Sequence, residues 1–304
     1  MPATIILNPY ANRWKAGASR PEIEAYFRST GFDFVLQQTE RPGHGTELAR
    51  AAVESGNLPL IAVGGDGSIT EVVNGLLQAT PPENYPAGPI GFLPMGTAND
   101  LTDVLGIPRD MKAAMQLITS GQTRVIDMGT VNGHYFDNNS AIGLEPMVTI
   151  ENIRLIWLKG VIRYLVAAVI TILKKVNWQA QLEWDDGKYE GSISLVSVGN
   201  THRTGGVFYM TPSAKIDDGF LDFVYAPSLS RIRMFQLLPL TQKGTHVDAP
   251  EVREHRTRRL TIRTQTPTPV QADGELIATD ATEIIYEILP GALRVFAPAG
   301  EQTD

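Results

Sequence analysis

At 304 residues, 43% hydrophobic and 19% charged, the chain has the make-up of a soluble globular protein long enough for two domains sharing a cleft. Its formal charge of −7 argues against a general nucleic-acid binder, because phosphate backbones reward a basic footprint. Cysteine is absent, which excludes disulfides, thiolate zinc sites and cysteine nucleophiles and points to a reducing, cytoplasmic location.

MPATIILNPY lacks a charged n-region and a cleavage site, so no secretion signal is expected, and ATIILN (3–8) reads as a strand. SRPEIEAYFRSTG (19–31) is predicted helical, with Ser19 and Glu22 at capping-box spacing and Gly31 as its stop. FDFVLQQ, a helix around 47–55, LPLIAV, a helix over about 68–77, PIGFLP, a short helix after Gly96 and another over 110–120 follow. Strands alternating with helices predict βαβ units and an α/β N-terminal domain with a mainly parallel sheet.

After TRVIDMG (123–129) the pattern turns to β runs with hairpin signals: VNGHYF, LEWDDGKYEGSISLVSVG with Asp186 and Gly187 supplying turn chemistry, FLDFVYA, RLTIRT, PVQADG and EIIYEIL. These predict an antiparallel β-sandwich second domain, interrupted by one long helix over roughly 151–176. Its apolar run VIRYLVAAVITIL (161–173) is bounded by Lys159, Lys174 and Lys175 and holds Arg163. Thirteen residues cannot cross a bilayer that needs about 20, so a buried or interfacial helix is expected and no transmembrane segment. GEQTD, at 300–304, reads as a frayed tail.

Two turns carry chemistry. LIAVGGDGSITEVVNGLL (60–77) ends a strand in Gly64-Gly65-Asp66-Gly67 and opens a helix, an arrangement whose free N–H groups and dipole favour phosphate. It is neither a Walker A loop nor Gly-x-Gly-x-x-Gly. A carboxylate among such amides repels an anion unless a Mg²⁺ or a reacting hydroxyl stands between, so Asp66 suggests phosphoryl transfer. PMGTANDLT (94–102) is a second turn of the same kind, and two such turns on neighbouring parallel strands would face one crevice at the sheet's carboxyl edge. Read without a ligand, the first is a tight βα turn, and in the second Thr97 and Asn99 cap a helix.

GGDGSITEVVNGLL, PMGTANDLT, the early ILNPYAN and the late DGE of VQADGELI together resemble the lipid kinases with a diacylglycerol kinase catalytic domain, in order from residue 5 to about 298. The first motif is also similar to that of NAD kinases. The resemblance implies that residues 1–126, with 291–304 returning through LRVFAP, bind ATP, and that residues 127–290 form the β-sandwich that helps hold the lipid. Carried over, the nucleotide contacts are Asn8, Pro9, Tyr10, Ala11, Asn12, Thr39, Gly65, Asp66, Gly67, Ser68, Ile69, Thr70, Glu71 and Thr97, with Asp66 tied to the catalytic metal. Glu275 is the implied proton acceptor for the lipid hydroxyl, with Asp273 beside it; without the resemblance the pair reads as a solvated hairpin tip. In AKIDDGFLD (214–222) the resemblance implies a structural Mg²⁺ held by the Asp218 carboxylate and the main-chain carbonyls of Lys215 and Phe220, where the residues alone read as a turn.

Two departures stand out: Ser68 replaces the usual threonine, and Asn8-Pro9 continues as Tyr10-Ala11-Asn12 rather than Ser-Gly. Lys15 and Arg20 are either phosphate neutralisers or solvated cations, and Asp127 either supports the site or is a structural carboxylate. The five histidines have no metal-ligand spacing, and no Gly-x-Ser-x-Gly elbow is present. The expected function is an ATP- and Mg²⁺-dependent lipid kinase, cytoplasmic and peripheral at the membrane, with diacylglycerol the leading acceptor and segment 153–176 shaping the acyl pocket or touching the bilayer. The alternatives are an NAD kinase-like phosphotransferase and a non-catalytic nucleotide sensor. Strand edges in the second half also leave room for a homodimer.

Overall fold

The computed structural model describes residues 1–155, 157–158, 160–174 and 177–300. Ile156, Lys159, Lys175 and Val176, within or bounding the apolar segment noted above, and tail residues 301–304 lie outside the described residues. The chain divides into two units, Met1–Met128 with the return from Pro290, and Gly129–Leu289.

The first unit runs β1 (Ala3–Leu7), α1 (Lys15–Ala18), α2 (Arg20–Ser29), β2 (Phe34–Gln38), α3 (His44–Glu54), β3 (Leu60–Gly64), α4 (Asp66–Ala79), β4 (Ala87–Pro94), α5 (Asp100–Val104), α6 (Met111–Ser120) and most of β5 (Thr123–Val131). β1 pairs with β2 and β3, and β3 with β4, all parallel. Every residue of β1 and β3 is buried, as a strand covered by helices on both faces requires. α3 and α4 approach closely because position 75 is glycine: a Cβ there would lie 2.7 Å from Ala49 Cβ.

The second unit continues with β6 (His134–Phe136), β7 (Asn139–Gly143), α7 (Leu144–Arg154), α8 (Gly160–Lys174), β8 (Trp178–Trp184), β9 (Gly187–Gly199), β10 (Leu221–Pro227), α9 (Arg231–Thr241), β11 (Arg253–Thr257), β12 (Arg259–Ala272) and β13 (Glu275–Phe296). Its pairings among the described residues are antiparallel; β9 and β12 are joined both through β7 and through β8. The space so enclosed is filled by Ile142, Leu182, Val196, Phe223, Ile262 and Tyr286. β10 is buried on both faces: Phe223 and Tyr225 join that core, while Val224 and Ala226 pack with Ile172, Met234 and Leu237 beneath α8 and α9. The last residues of β13 return to the first unit and pair parallel with β4, Leu293 opposite Ala87.

Several local expectations are corrected. Ser19 does not cap α2; its hydroxyl donates back to the Lys15 carbonyl at 2.9 Å because the turn α1 precedes it. The long helix over 151–176 is two, α7 beginning seven residues earlier and ending at Arg154, followed by a turn in which Leu158 N–H meets Leu155 O. The β8–β9 turn is Asp185-Asp186, and Gly187 already belongs to β9. Gly187 is needed because the Trp184 indole folds over it: a Cβ would stand 2.5 Å from the ring. Helix α9 was not expected, since Pro239 lies inside it; Ser230 caps it by accepting the Arg233 N–H.

Candidate active site

β3 and β4 are neighbouring parallel strands, and their carboxyl ends feed the two glycine turns. Gly65 has an extended backbone, so it is not glycine for the sake of a left-handed φ. Its reason is Gly96: a Cβ on Gly65 would lie 2.9 Å from Gly96 Cα, and one on Gly96 2.7 Å from Gly65 Cα. The two main chains thus touch each other, a packing reason for these glycines that exists before any ligand arrives. α4 starts at Asp66, two residues ahead of expectation, and the Asp66 carboxylate crosses to the other turn: Oδ2 accepts Asn99 N–H at 2.9 Å and Oδ1 accepts Asp100 N–H at 2.7 Å.

Asn99 takes the left-handed conformation, φ 55°, and closes its own turn, Oδ1 accepting Gly96 N–H at 2.9 Å and Nδ2 donating to Gly96 O. Arg109, which the sequence did not single out, donates to Ala98 O at 2.8 Å and reaches both Asp103 oxygens at 2.9 and 2.6 Å. The Asp103 hydrogen bond, with the charges of Asp103, Asp66 and Asp100, holds its guanidinium above its ordinary range. Only proximity in the fold marks this arginine: it sits in an unremarkable GIPRD segment.

At the end of β1, Asn8 Nδ2 donates to Ser68 Oγ at 2.8 Å and Asn8 Oδ1 accepts Tyr10 N–H at 3.0 Å. Asn8 and Ser68, chosen from separate motifs, therefore meet. Pro9 and Ala11 form the following turn, with Ala11 N–H on Asn8 O. Tyr10 is exposed and meets Trp14 edge to face at 4.6 Å between ring centroids. Asn12, Arg13 and Trp14 are successively left-handed, φ 50°, 56° and 73°, a conformation L-residues adopt singly and at a cost. Thr39 is buried just past β2, its N–H on Leu7 O. Thr97 is exposed at the tip of the second turn, and Gly67 is half-buried in the first turn of α4.

The other three expected nucleotide contacts lie further along α4. Ile69 and Thr70 are buried on the inner side of α4. Glu71 accepts Gly43 N–H at 2.8 Å and Gly45 N–H at 2.9 Å, serving as the N-terminal cap of α3 that the local sequence of that helix does not supply. Arg20 is paired with Glu24 on the surface, and Asp127 is buried with Oδ1 on Gly291 N–H at 2.7 Å, a structural brace of the returning strand.

In the second unit Asp273 and Gly274, φ 47° and 81°, form the two-residue turn between β12 and β13, with Ala272 opposite Glu275. The Asp273 carboxylate accepts three backbone N–H groups: Asp137 at 2.9 Å, Asn138 at 2.9 Å and Asn139 at 3.1 Å. Asp273 is thus bound into the start of β7, while Glu275 is exposed. Near them Glu145 is half-buried, with its carboxyl enclosed and Oε2 accepting Asn139 Nδ2 at 3.3 Å; desolvation pushes its carboxyl up to about 7. Burial likewise raises the Tyr286 phenol, whose OH lies 3.3 Å from Ser140 Oγ.

In the loop expected to hold Mg²⁺, the aspartate is paired within the protein. Asp218 Oδ1 accepts Phe220 N–H at 3.1 Å, and Oδ2 is ion-paired with Arg256, whose guanidinium also stacks 4.6 Å above the Phe220 ring. Lys215 lies in the preceding segment and is exposed. Asp222, buried and 3.9 Å from Arg256, is pushed up to about 6 by burial. Among the described residues no group of three or more His, Asp or Glu could hold a metal ion. Arg256 thus stands on the Asp218 carboxylate that the expected site would use beside the main-chain carbonyls of Lys215 and Phe220.

Residues 2–131 match the family model described as the diacylglycerol kinase catalytic domain. Residues 139–297, more than half of the chain, match the YegS C-terminal NAD kinase beta sandwich-like domain. The chain belongs to the family that joins these two domains. Among this family's relatives, a diacylglycerol kinase of Staphylococcus carnosus is 28% identical over 90% of this chain and 88% of its own. One of Staphylococcus epidermidis is 29% identical over 90% and 85%. A Bacillus anthracis crystal structure carrying a diacylglycerol kinase description has the same fold, with TM-score 0.80 over 98% of this chain and 95% of its own at 24% identity. Yeast NADH kinase complexed with NADH is more distant, with TM-score 0.51, 11% identity and 99% and 84% coverage.

Proposed function

We propose that this protein transfers the γ-phosphate of ATP to the free hydroxyl of diacylglycerol, giving phosphatidic acid. It is a lipid kinase of the diacylglycerol kinase type, as its catalytic-domain match and the names of its relatives support. The observation that carries the site is the Asp66 carboxylate laid across the amides of Asn99 and Asp100, which ties two helix-opening turns together at adjacent strand ends. In an α/β sheet such strand ends receive the ligand, and helix N-termini favour its phosphates.

In this reading Asn8 to Asn12, Thr39, Gly65 to Ser68 and Thr97 surround the nucleotide, and Ile69, Thr70 and Glu71 hold α4 in position behind it. Each Asp66 oxygen carries one amide proton and keeps a lone pair, so Asp66 fits the Mg²⁺ that accompanies ATP, an ion that neutralises charge on the transferring phosphoryl group. Glu275 takes the proton of the attacking hydroxyl, and Asp273, held by three amides, fixes the turn from which Glu275 projects. Residues 1–126 with 291–304 bind ATP, and the antiparallel sandwich at 127–290 holds the lipid. The enzyme works in the cytoplasm at the membrane surface, and a homodimer would form along the open edge of β11.

The NAD kinase-like alternative has the fold of yeast NADH kinase in its favour, at 11% identity. Radiolabelled phosphate transfer from ATP to a panel of lipids in mixed micelles, against NAD as acceptor, separates the two. Incorporation into diacylglycerol that Glu275→Gln abolishes supports the proposal; incorporation into NAD alone overturns it, and nucleotide binding without transfer to any acceptor moves the assignment to a sensor.

A further inference from the structure

The peptide unit between Ala98 and Asn99 is gripped at both ends. Its carbonyl, Ala98 O, accepts Arg109 Nη2 at 2.8 Å, and its N–H, on Asn99, donates to Asp66 Oδ2 at 2.9 Å. A trans peptide points its C=O and N–H in opposite directions, so a guanidinium and a carboxylate face each other across one plane. The positive charge on the oxygen side makes the N–H a stronger donor, and the negative charge on the hydrogen side makes the carbonyl a stronger acceptor. Neither bond keeps its strength or direction without the other.

Arg109 is itself aimed. Its Nε and Nη2 meet the two Asp103 oxygens at 2.9 and 2.6 Å as a fork, and Asp103 N–H donates to Asn99 O at 2.9 Å. The chain reaches Arg109 by folding back after α5, with Gly106 left-handed at φ 69° and Ile107 N–H on Thr102 O at 2.8 Å. α5 has five residues, too few to hold its own shape, and Asn99 before it is left-handed, a conformation that persists only where neighbours over-determine it. Arg109 supplies such determination from outside the helix, gripping the turn at Ala98 and the helix at Asp103. A side chain 51% exposed and paired with one carboxylate would be an ordinary surface ion pair worth little; the third bond, to a main-chain oxygen of the glycine turn, sets this one apart. The charges of Asp103, Asp66 and Asp100 all favour the protonated guanidinium, which places it in the field of the whole acidic turn.

We propose that Arg109 is a positioning residue for phosphate transfer: by holding the Ala98 carbonyl it fixes the peptide plane that aims the Asp66 carboxylate. It acts through that peptide and touches neither the nucleotide nor the acceptor. The importance of aiming Asp66 rests on the lipid-kinase reading, whereas the clamp itself rests on the bonds among Asp103, Arg109, Ala98, Asn99 and Asp66.

A cycle of single and double substitutions tests it, with phosphate transfer to a soluble short-chain diacylglycerol as one readout. Arg109→Gln is expected to lower transfer about tenfold in the native background and less than about twofold beside Asp66→Asn, because an effect carried through Asp66 disappears once Asp66 is replaced. Arg109→Lys keeps the charge without the planar fork and should fall between Arg109→Gln and the native protein. The second readout needs no activity: in the protein without nucleotide, exchange of the Asn99 and Asp100 amide hydrogens, followed by NMR, should quicken about tenfold in Arg109→Gln while the amides of β1 keep their native rates. Losses that multiply in the double variant would mean that Arg109 meets the phosphates directly, and they overturn the proposal. Unchanged exchange at Asn99 and Asp100, or equal acceleration in β1, overturns it as well, the latter by reducing Arg109 to a general stabiliser. A native protein that phosphorylates no acceptor but shows the local exchange response removes the kinase reading and leaves the clamp on Asp66 standing.

Discussion

The Asp66 carboxylate accepts the N–H groups of Asn99 and Asp100, 33 and 34 positions away, one on each oxygen. This bond pair makes the two glycine turns a single rigid unit, so Asp66 has a structural task in addition to its proposed place beside the phosphates. Asp66→Asn replaces one acceptor with an N–H that faces another N–H. It is expected to cost roughly 1–3 kcal/mol and to lower phosphate transfer about 100-fold or more. Thermal unfolding and transfer rates measured together check this; loss of activity with a native Tm would assign Asp66 to chemistry alone.

Gly96→Ala is expected to harm the same unit by sterics. Its Cβ would lie 2.7 Å from Gly65 Cα and 2.6 Å from Asn99 Oδ1, and the first of these is backbone that cannot swing away. A loss of about 1–3 kcal/mol and a weaker ATP affinity by isothermal titration are the expected outcomes. Native affinity would mean that the turns separate without consequence.

Asp273 and Glu275 are expected to respond in opposite ways. Glu275 is exposed, so Glu275→Gln should leave Tm unchanged while transfer falls about 100-fold or more. Asp273 accepts three amides, so Asp273→Ala leaves them without their acceptor and should cost about 1–3 kcal/mol. Denaturant unfolding distinguishes them, and a native stability for Asp273→Ala would show that the amides find other partners.

Glu145 makes stability depend on pH. Burial raises its carboxyl to about 7, above the 4.5 ordinary for a glutamate, so the folded protein binds this proton more tightly than the unfolded chain. Stability from this group is therefore present in full below pH 4.5 and declines as pH rises through 7. Glu145→Gln, which stays neutral, should be more stable than the native protein at pH 8, by roughly 2–3 kcal/mol, and equal to it near pH 4.5. Urea unfolding at the two pH values measures it; the same difference at both would rule out the titration.

Arg256 fills the cation position beside Asp218. Millimolar Mg²⁺, without nucleotide, is expected to leave the native Tm unchanged. In Arg256→Gln the freed Asp218 and the buried Asp222 should make Tm rise with Mg²⁺, following the usual ligand linkage. A native protein stabilised by Mg²⁺ or destabilised by a chelator would show that arginine and metal coexist.

Strand and helix alternation, with glycine turns closing β3 and β4, was legible because periodicity and turn chemistry are local properties. So were the helix over 111–120, which Asp110 caps through Ala113 N–H, and the Asn132-Gly133 hairpin. The break between α7 and α8 was not, because both segments are apolar and a continuous helix satisfies the same pattern. Helix α9 was hidden by Pro239, which tertiary packing of Met234 and Leu237 overrides.

Sequence alone marked the residues proposed for the chemistry: Asp66 between glycines, Thr97 and Asn99 in the second turn, and, through the family resemblance, the Asp-Gly-Glu tip. Only the tertiary structure decided what each does there. Asp66 and Asp273 accept amides 33 to 136 positions away, Glu71 caps a different helix, and Arg109 and Arg256 supply cations to acidic turns. Such bonds leave no local trace, because a carboxylate's partner is set by where the chain returns in space rather than by the residues beside it.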